Sequence, residues 1–145
     1  MLPRPSRLRR SADFRRTVRG GVRVGRPTLV LHANYLARGT TPLDPRRAHK
    51  NTRERASAAD TDRARVGFVV GKTVGNAVTR NRVRRRLRHL VAAELPRTPD
   101  RVNVVVRALP RAATAPDEVP KDFAAAWPQT LARLGRRPAE AGAPR

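Results

Sequence analysis

GNAVTRNRVRRRLRHL, residues Gly75 to Leu90, is the stretch from which the fold and the function of this chain can be worked out. It holds six arginines and one histidine but no acid, and the next carboxylate along the chain is Glu94. Like charges this close repel one another on a helix. The stretch is therefore either a solvated helix face or a docking surface for a polyanion, and the unrelieved repulsion favours the second.

A helical projection divides this stretch into an apolar stripe and a basic surface. At about 100° per residue, Leu87, Leu90 and Val91 fall within roughly 80° of Val83, which is typical of a helix that packs on a sheet. Arg80 lies near the same side, in the first turn, from where a long side chain reaches out over the edge of the sheet. The opposite side carries Asn81, Arg82, Arg85, Arg88 and His89, with Arg84 and Arg86 flanking the stripe.

The residues just before this helix predict where it begins. Gly75 and Asn76 supply a tight turn and an N-cap. The unpaired N–H groups of the first turn then present a positive end that suits a phosphate. The start of the helix therefore adds to the anion-binding character of the stretch.

The bulk composition narrows the class of partner. The chain has 145 residues and a formal net charge of +22, and this length is typical of one domain. Self-repulsion of that size destabilises a compact state, so a neutralising partner such as nucleic acid or an anionic membrane surface is indicated. The basic helix lacks a wide face of bulky apolar residues, which disfavours the membrane.

Composition also limits the kind of site and the location. The chain contains no cysteine, which excludes disulfides, thiolate zinc sites and thiol nucleophiles. No apolar run approaches the roughly 20 residues that span a bilayer. The start, MLPRPSRLRR, is basic, and no hydrophobic segment follows it. We therefore expect a cytoplasmic protein without a secretory signal.

The N-terminal region predicts one helix, one strand and a loop. The helix begins near Ser11, with Phe14 and Val18 on one face. Thr28 to Asn34, TLVLHAN, is rich in strand-forming residues. Residues 37–63 show no apolar periodicity, so we expect a long disordered loop between two strands.

The remaining chain predicts two more strands and a last helix. RVGFVV, Arg65 to Val70, alternates its apolar residues onto one face, and RVNVVVR, Arg101 to Arg107, is a further strand. Apolar residues from Val119 to Leu134 recur at helical spacing, and Pro128 within them predicts a kink or a break. Residues 1–136 then form a single RNA-binding domain, an α/β sandwich with one small sheet, and residues 137–145 form a flexible tail.

The titratable residues form no constellation that predicts catalysis by side chains. No two acids are paired with each other or with a histidine at a spacing typical of acid–base or metal sites. His32, His49 and His89 fall on a strand, in the loop and on a helix. Asp60 and Asp62 have a chelating spacing but lie in the loop. We expect no catalytic residue and no metal site.

The ordered residues from Lys72 to Arg88 resemble the signature of the bacterial ribonuclease P protein subunit. The frame of that family is K-x-x-G-N-A-V-x-R-N-R-x-K/R-R-x-x-R. RLRRSADF, residues 7–14, and RVGFVV, residues 65–70, keep the order of two weaker family matches. The resemblance covers residues 3–135 apart from the loop. The matching signature residues are Lys72, Gly75, Asn76, Ala77, Val78, Arg80, Asn81, Arg82, Arg84, Arg85 and Arg88.

The resemblance implies a fold, a reaction and partners. The family fold is a two-layer α/β (α+β) sandwich, with a mixed sheet of about four strands and three helices in the order α-β-β-β-α-β-α. It has a left-handed βαβ crossover, an unusual hand. The family protein assists a catalytic RNA that removes the 5′ leader from precursor tRNA. The chemistry would rest on Mg²⁺ held by the RNA and the substrate. We expect a monomer in a 1:1 complex with the RNA, with no membrane or DNA partner.

The resemblance also implies two binding sites. The signature helix contacts the catalytic RNA through Lys72, Asn76, Arg80, Asn81, Arg82, Arg84, Arg85 and Arg88. A cleft between the sheet and the first helix holds the single-stranded leader and is lined by Phe14, Val18, His32, Phe68 and Arg80. Phe14 is either a stacking surface for a base or a core residue. Val18 and His32 stand where the family often has aromatic residues.

Two other classes of protein share this composition. One is a non-enzymatic RNA-binding or ribosomal protein, and the other is a DNA-binding protein that reads base edges with the basic helix. The ordered signature and the cleft aromatic favour ribonuclease P over the first, whereas the second predicts a preference for duplex DNA. An assay of precursor-tRNA cleavage at low Mg²⁺ distinguishes ribonuclease P from the first class. Competition between duplex DNA and structured RNA, at a stated salt concentration, distinguishes it from the second.

Overall fold

The computed structural model describes residues 7–8, 11–35 and 64–136. The expectations of a disordered loop at 37–63 and a flexible tail at 137–145 lie outside these residues, as do His49, Asp60 and Asp62.

The first part of the chain forms a helix followed by an antiparallel hairpin. Helix α1 spans Ser11–Gly20, strand β1 spans Val22–Gly25 and strand β2 spans Leu29–Tyr35. The predicted helix from Ser11 is confirmed. The predicted strand Thr28–Asn34 is also confirmed, with a shift of one residue. Strand β1 was not identified from its own sequence, because four residues that end in glycine carry too little strand signal. In the hairpin, Arg23 pairs with His32.

The middle of the chain forms a β-α-β unit. Strand β3 spans Arg65–Val69, helix α2 spans Ala77–Glu94, a 3₁₀ turn covers Leu95–Arg97 and strand β4 spans Val102–Ala108. β3 and β4 are parallel neighbours, whereas β2 and β4 are antiparallel. The sheet order is β1-β2-β4-β3, so the predicted small mixed sheet of four strands is confirmed.

Two helices complete the described fold. Helix α3, Arg111–Thr114, is a single turn, and helix α4 spans Glu118–Gly135. Pro128 lies inside α4 and does not end it, so the predicted alternative of a break there is wrong. Tertiary contacts hold the helix on both sides of the proline, because Trp127 and Thr130 are buried and the Thr130 hydroxyl donates to the Ala126 carbonyl at 2.7 Å.

Helix α4 is hydrogen-bonded to Thr28, the residue before β2, and to Tyr35, its last residue. The backbone N–H and the hydroxyl of Thr28 both donate to Oδ2 of Asp122, at 3.0 and 2.5 Å. At the other end, the Tyr35 hydroxyl donates to the Leu134 carbonyl at 3.1 Å. These bonds fix the position of α4 along the axis of β2, which apolar contacts alone would not determine.

The main core lies between one face of the sheet and the helices α2 and α4. The rings of Phe123 and Trp127 stack there with centroids 5.1 Å apart. The strands supply alternate residues to this face, namely Leu29, Leu31, Ala33, Val66, Val102, Val104 and Val106.

Helix α1 packs on the other face of the sheet. The side-chain amide of Asn34 donates to the Arg16 carbonyl at 3.4 Å, and Thr17 is buried. Because helices cover both faces, six of the seven residues of β2 are buried. Beyond β3, the N–H of Leu8 donates to the Val66 carbonyl at 3.0 Å, which covers part of that outer edge.

Candidate nucleic-acid interface

The turn before α2 sets the start of the basic helix. Gly75 has a φ of +155°, and a Cβ there would lie 2.9 Å from Cγ2 of Thr79, so glycine is required on both counts. Asn76 is the N-cap, and its Oδ1 accepts from the Thr79 N–H at 2.9 Å. The predicted cap is confirmed, and it gives the side chain of Asn76 a structural role.

The apolar stripe of α2 packs as the helical projection predicts. Val83, Leu87 and Val91 are buried in the main core. Leu90 is partly buried against the same cluster. The stripe orients the helix about its own axis, so the side chains opposite it are presented to solvent.

The basic face of α2 consists of the exposed residues Arg82, Arg85, Arg86 and Arg88. Among the described residues, none of these arginines has an ion-pair or hydrogen-bond partner. Asn81 and Arg84 are linked to each other on the same helix, since Nη1 of Arg84 donates to Oδ1 of Asn81 at 3.3 Å. Four unpaired guanidinium groups on one helix are a surface suited to phosphates.

Arg80 differs from the arginines of the basic face. Its side chain is half-buried, and its Nε is buried without a hydrogen-bond partner among the described residues. This agrees with the predicted position near the packing side of the helix. Lys72, in the turn before α2, is exposed, so the two cations at this end of the helix lie in different environments.

Phe14 lies directly over the backbone of β3. A Cβ on Gly67 would lie 2.2 Å from Cζ of Phe14, so the ring occupies the space that any other residue at 67 would fill. Phe14 and its neighbour Val18 on α1 are both half-buried. His32 faces the same side of the sheet, because it alternates with the residues of β2 that enter the main core.

The structure divides the predicted cleft residues between two faces of the sheet. It brings together Phe14, Val18 and His32 on the α1 side. Phe68 packs against the main core on the opposite side, so its predicted place in the cleft is wrong. The reason is strand alternation, since Phe68 shares its face with Val66. Arg80 belongs to α2, which also packs on the core side.

His32 is a buried imidazole between two cations. Its side chain is 6 % exposed, and Nδ1 has no hydrogen-bond partner among the described residues. Burial, and then the charges of Arg107 and Arg23, lower the pKa of His32 below its ordinary value of 6.5. The imidazole is therefore neutral at pH 7.

Sequence reasoning missed Arg23 and Arg107 as residues of the cleft side. Both are exposed and lie on strands adjacent to β2. Alternation along RVNVVVR places Arg107 on the face opposite the buried Val106. That signal was present in the sequence, but it could not be used without knowing which strands are neighbours.

Two arrangements are absent from the part of the chain that the structure describes: a three-residue metal cluster and a helix that could span a membrane. Over residues 7–8, 11–35 and 64–136, no group of three His, Cys, Asp or Glu side chains is arranged to hold a metal. In the same part of the chain, each helix is too short or too polar to cross a membrane.

Comparison with known proteins identifies the family. The sequence model of the family described as Ribonuclease P matches residues 2–130. The chain belongs to the ribonuclease P protein family. It is thus a protein subunit of ribonuclease P, the ribonucleoprotein of tRNA 5′ processing, in which the RNA component carries the catalysis. Family membership decides against the ribosomal and DNA-binding alternatives.

Relatives and solved structures agree with this ribonuclease P assignment. The ribonuclease P protein component of Salinispora tropica is 51% identical over 113 residues, which are 78% of this chain and 80% of the relative. That of Pseudarthrobacter chlorophenolicus is 42% identical over 144 residues, 99% and 90% of the two chains. The ribonuclease P protein structure from Staphylococcus aureus has the same fold, with a TM-score of 0.62, 19% identity and coverage of 90% and 93%.

Proposed function

We propose that the basic face of α2 is the surface through which this ribonuclease P subunit binds the RNA component. The observation that carries the proposal is the row of exposed, unpaired arginines on a helix whose other side is fixed in the core. Counterion release from phosphates makes such a surface favourable for RNA. Lys72, Arg80, Asn81 and Arg84 extend the surface, and Asn76 supports it by capping the helix.

The α1 side of the sheet is proposed to hold the single-stranded leader of precursor tRNA. Phe14 and Val18 on the helix and His32 on β2 lie on this side. The sheet and the body of α2 lie between this side and the basic face, because α2 packs on the opposite face of the sheet through its apolar stripe. One protein can therefore contact the RNA component and the leader at the same time.

The role proposed for the protein is electrostatic and positional. Its described residues supply no carboxylate cluster for a metal, and no step of the reaction is assigned to its side chains. The Mg²⁺ ions would be held by the RNA and the substrate, where they activate water and stabilise the leaving oxygen. The proposed assembly is one protein monomer with one RNA in the cytoplasm, without a DNA partner.

Stimulation of the catalytic RNA at low Mg²⁺ tests the proposed function. The full chain is added to the RNA component, and cleavage of precursor tRNA is measured as the Mg²⁺ concentration is lowered. We expect the protein to restore cleavage at Mg²⁺ concentrations where the RNA alone is inactive, because its cations screen RNA–RNA repulsion. A folded protein that gives no stimulation at any Mg²⁺ concentration would refute the proposal.

A further inference from the structure

Two exposed arginines flank His32 on the α1 side of the sheet. Arg107 is the one exposed residue of β4, although β4 is a central strand whose other six residues are buried. Arg23 is exposed on β1 and pairs directly with His32. Arg107 pairs with Val30, two residues before His32. Alternation places Arg23, His32 and Arg107 on the same face.

The geometry leaves this pair of cations unneutralised. They lie on either side of β2, and two strand spacings with a two-residue diagonal separate their Cα atoms by roughly 12 Å. Within the described residues, neither guanidinium has a hydrogen-bond or ion-pair partner. His32 between them adds no positive charge, because burial and the arginines lower its pKa. An anion between the arginines would relieve their repulsion.

The rings on this side are less available than the arginines. The ring of Phe14 packs on Gly67 and is half-buried. Val18 has no ring, and His32 is buried. Stacking needs an exposed ring face. A single-stranded RNA that crosses this side of the sheet would therefore contact exposed guanidinium groups more readily than exposed aromatic rings.

We propose that Arg23 and Arg107 bind phosphates of the single-stranded leader, so that this protein holds the leader by its backbone and not by its bases. This inference rests on the proposed function of the α1 side of the sheet. Guanidinium groups bind phosphate oxygens in a bidentate geometry. Contacts to the backbone carry no sequence information. Leader affinity should therefore be steep in salt and nearly independent of leader sequence.

The test compares two substrates on the reconstituted holoenzyme. Dissociation constants are measured for precursor tRNA and for the same tRNA without its leader. Arg23→Ala and Arg107→Ala should each weaken binding of the leader-bearing RNA about threefold to tenfold and lower its salt slope by about 0.7. The leaderless RNA should bind as it does to wild type. Arg136→Ala, an exposed arginine beyond α4, removes the same charge elsewhere and should change neither constant.

A chemically modified leader gives a second readout. Methylphosphonate linkages remove the backbone charge and keep the bases. A leader with these linkages should bind wild type as weakly as the natural leader binds the double variant Arg23→Ala/Arg107→Ala, and the double variant should lose no more affinity with it. Exchanging purines for pyrimidines in the natural leader should change wild-type affinity by about twofold or less.

Three results would overturn the inference and leave the proposed function standing. The first is that both single variants bind the leader-bearing RNA with the same affinity as wild type. The second is an equal loss for the leaderless RNA, which would place the arginines on another part of the complex. The third is a strong base preference that both variants retain. A wild-type holoenzyme without cleavage activity would instead refute the proposed function and this inference with it.

Discussion

Helices α2 and α4 are both 18 residues long and pack on the same face of the sheet, yet they bury very different side chains. α4 has six buried residues, with Phe123 and Trp127 among them, and is hydrogen-bonded to the residue before β2 and to its last residue. α2 has three buried residues, all aliphatic. Fully burying one such aliphatic side chain contributes about 1.5–3 kcal/mol. α4 therefore contributes more to stability. α2 buries only enough apolar surface to fix its orientation, and most of its remaining surface consists of arginine side chains.

The largest effect is expected from a charge placed on the narrow stripe of α2. Val83→Asp puts an unpaired carboxylate into the main core, so the domain should lose its cooperative thermal transition. The matched control is Val78→Asp in the first turn of the same helix, where the valine is 66% exposed. That variant should fold, since an acid near a helix N-terminus is favourable. A normal transition in Val83→Asp would show that the stripe does not carry the packing of α2.

The next largest effect is expected in α4. Trp127→Ala removes a buried ring that stacks on Phe123, and it should lower the free energy of unfolding by about 3–5 kcal/mol. Lys121→Ala, at an exposed position of α4, should change it by about 0.5 kcal/mol or less. Denaturant unfolding measures both. Affinity of the folded fraction for the RNA component should stay at the wild-type value, and a large loss would mean that α4 also binds RNA.

Substitutions of the arginines of α2 should have the opposite effect to Trp127→Ala, with a loss of RNA affinity and little loss of stability. Arg80→Ala and Arg82→Ala should each weaken binding to the RNA component about tenfold and reduce the salt slope by about one, with little change in stability. Arg136→Ala, just beyond α4, removes the same charge and serves as the control. Unchanged RNA affinity in both α2 variants, measured by titration at several salt concentrations, would contradict the assignment of the basic face.

The smallest effect separates support of the helix from contact with RNA. Asn76→Ala removes the N-cap bond to Thr79 and should lower the free energy of unfolding by about 1 kcal/mol, whereas Asn76→Ser should retain most of it. Denaturant unfolding gives the stability, and RNA titration gives the affinity. If Asn76→Ser restores stability but not RNA affinity, the amide contacts RNA directly in addition to capping the helix.

The two helices also show what the sequence could and could not predict. The start of α2 and its stripe follow from Gly75, Asn76 and the spacing from Val83 to Val91, because caps and periodicity are local properties. The persistence of α4 through Pro128 depends on tertiary contacts around Trp127, which no local rule contains. The α-β-β-β-α-β-α order came from the family resemblance, and β1 itself carries almost no local signal.

The parts of the candidate site that depend on local sequence were predicted, and the parts that depend on strand order were not. The arginines of the basic face lie on one helix, so a helical projection finds them. Phe68 was placed in the cleft, although its alternation with Val66 assigns it to the core face. Arg23 and Arg107 lie 84 residues apart in sequence, and they become neighbours of His32 only through the strand order. Such a juxtaposition requires the sheet topology, which local patterns do not specify.

The strand order also governs when the protein can fold during its synthesis. β1 and β2 can pair as soon as Tyr35 has left the ribosome, but β3 pairs with β4, which is the last of the four described strands to be made. Helix α2 is therefore complete before the sheet that it packs on exists. No fragment that ends before Val102 contains the central strand that joins β2 to β3. The most basic helix therefore has no complete sheet to pack on until Ala108, nearly three quarters of the 145 residues, has been synthesised, and the core lacks α4 until Gly135. The domain should therefore fold as one unit and late.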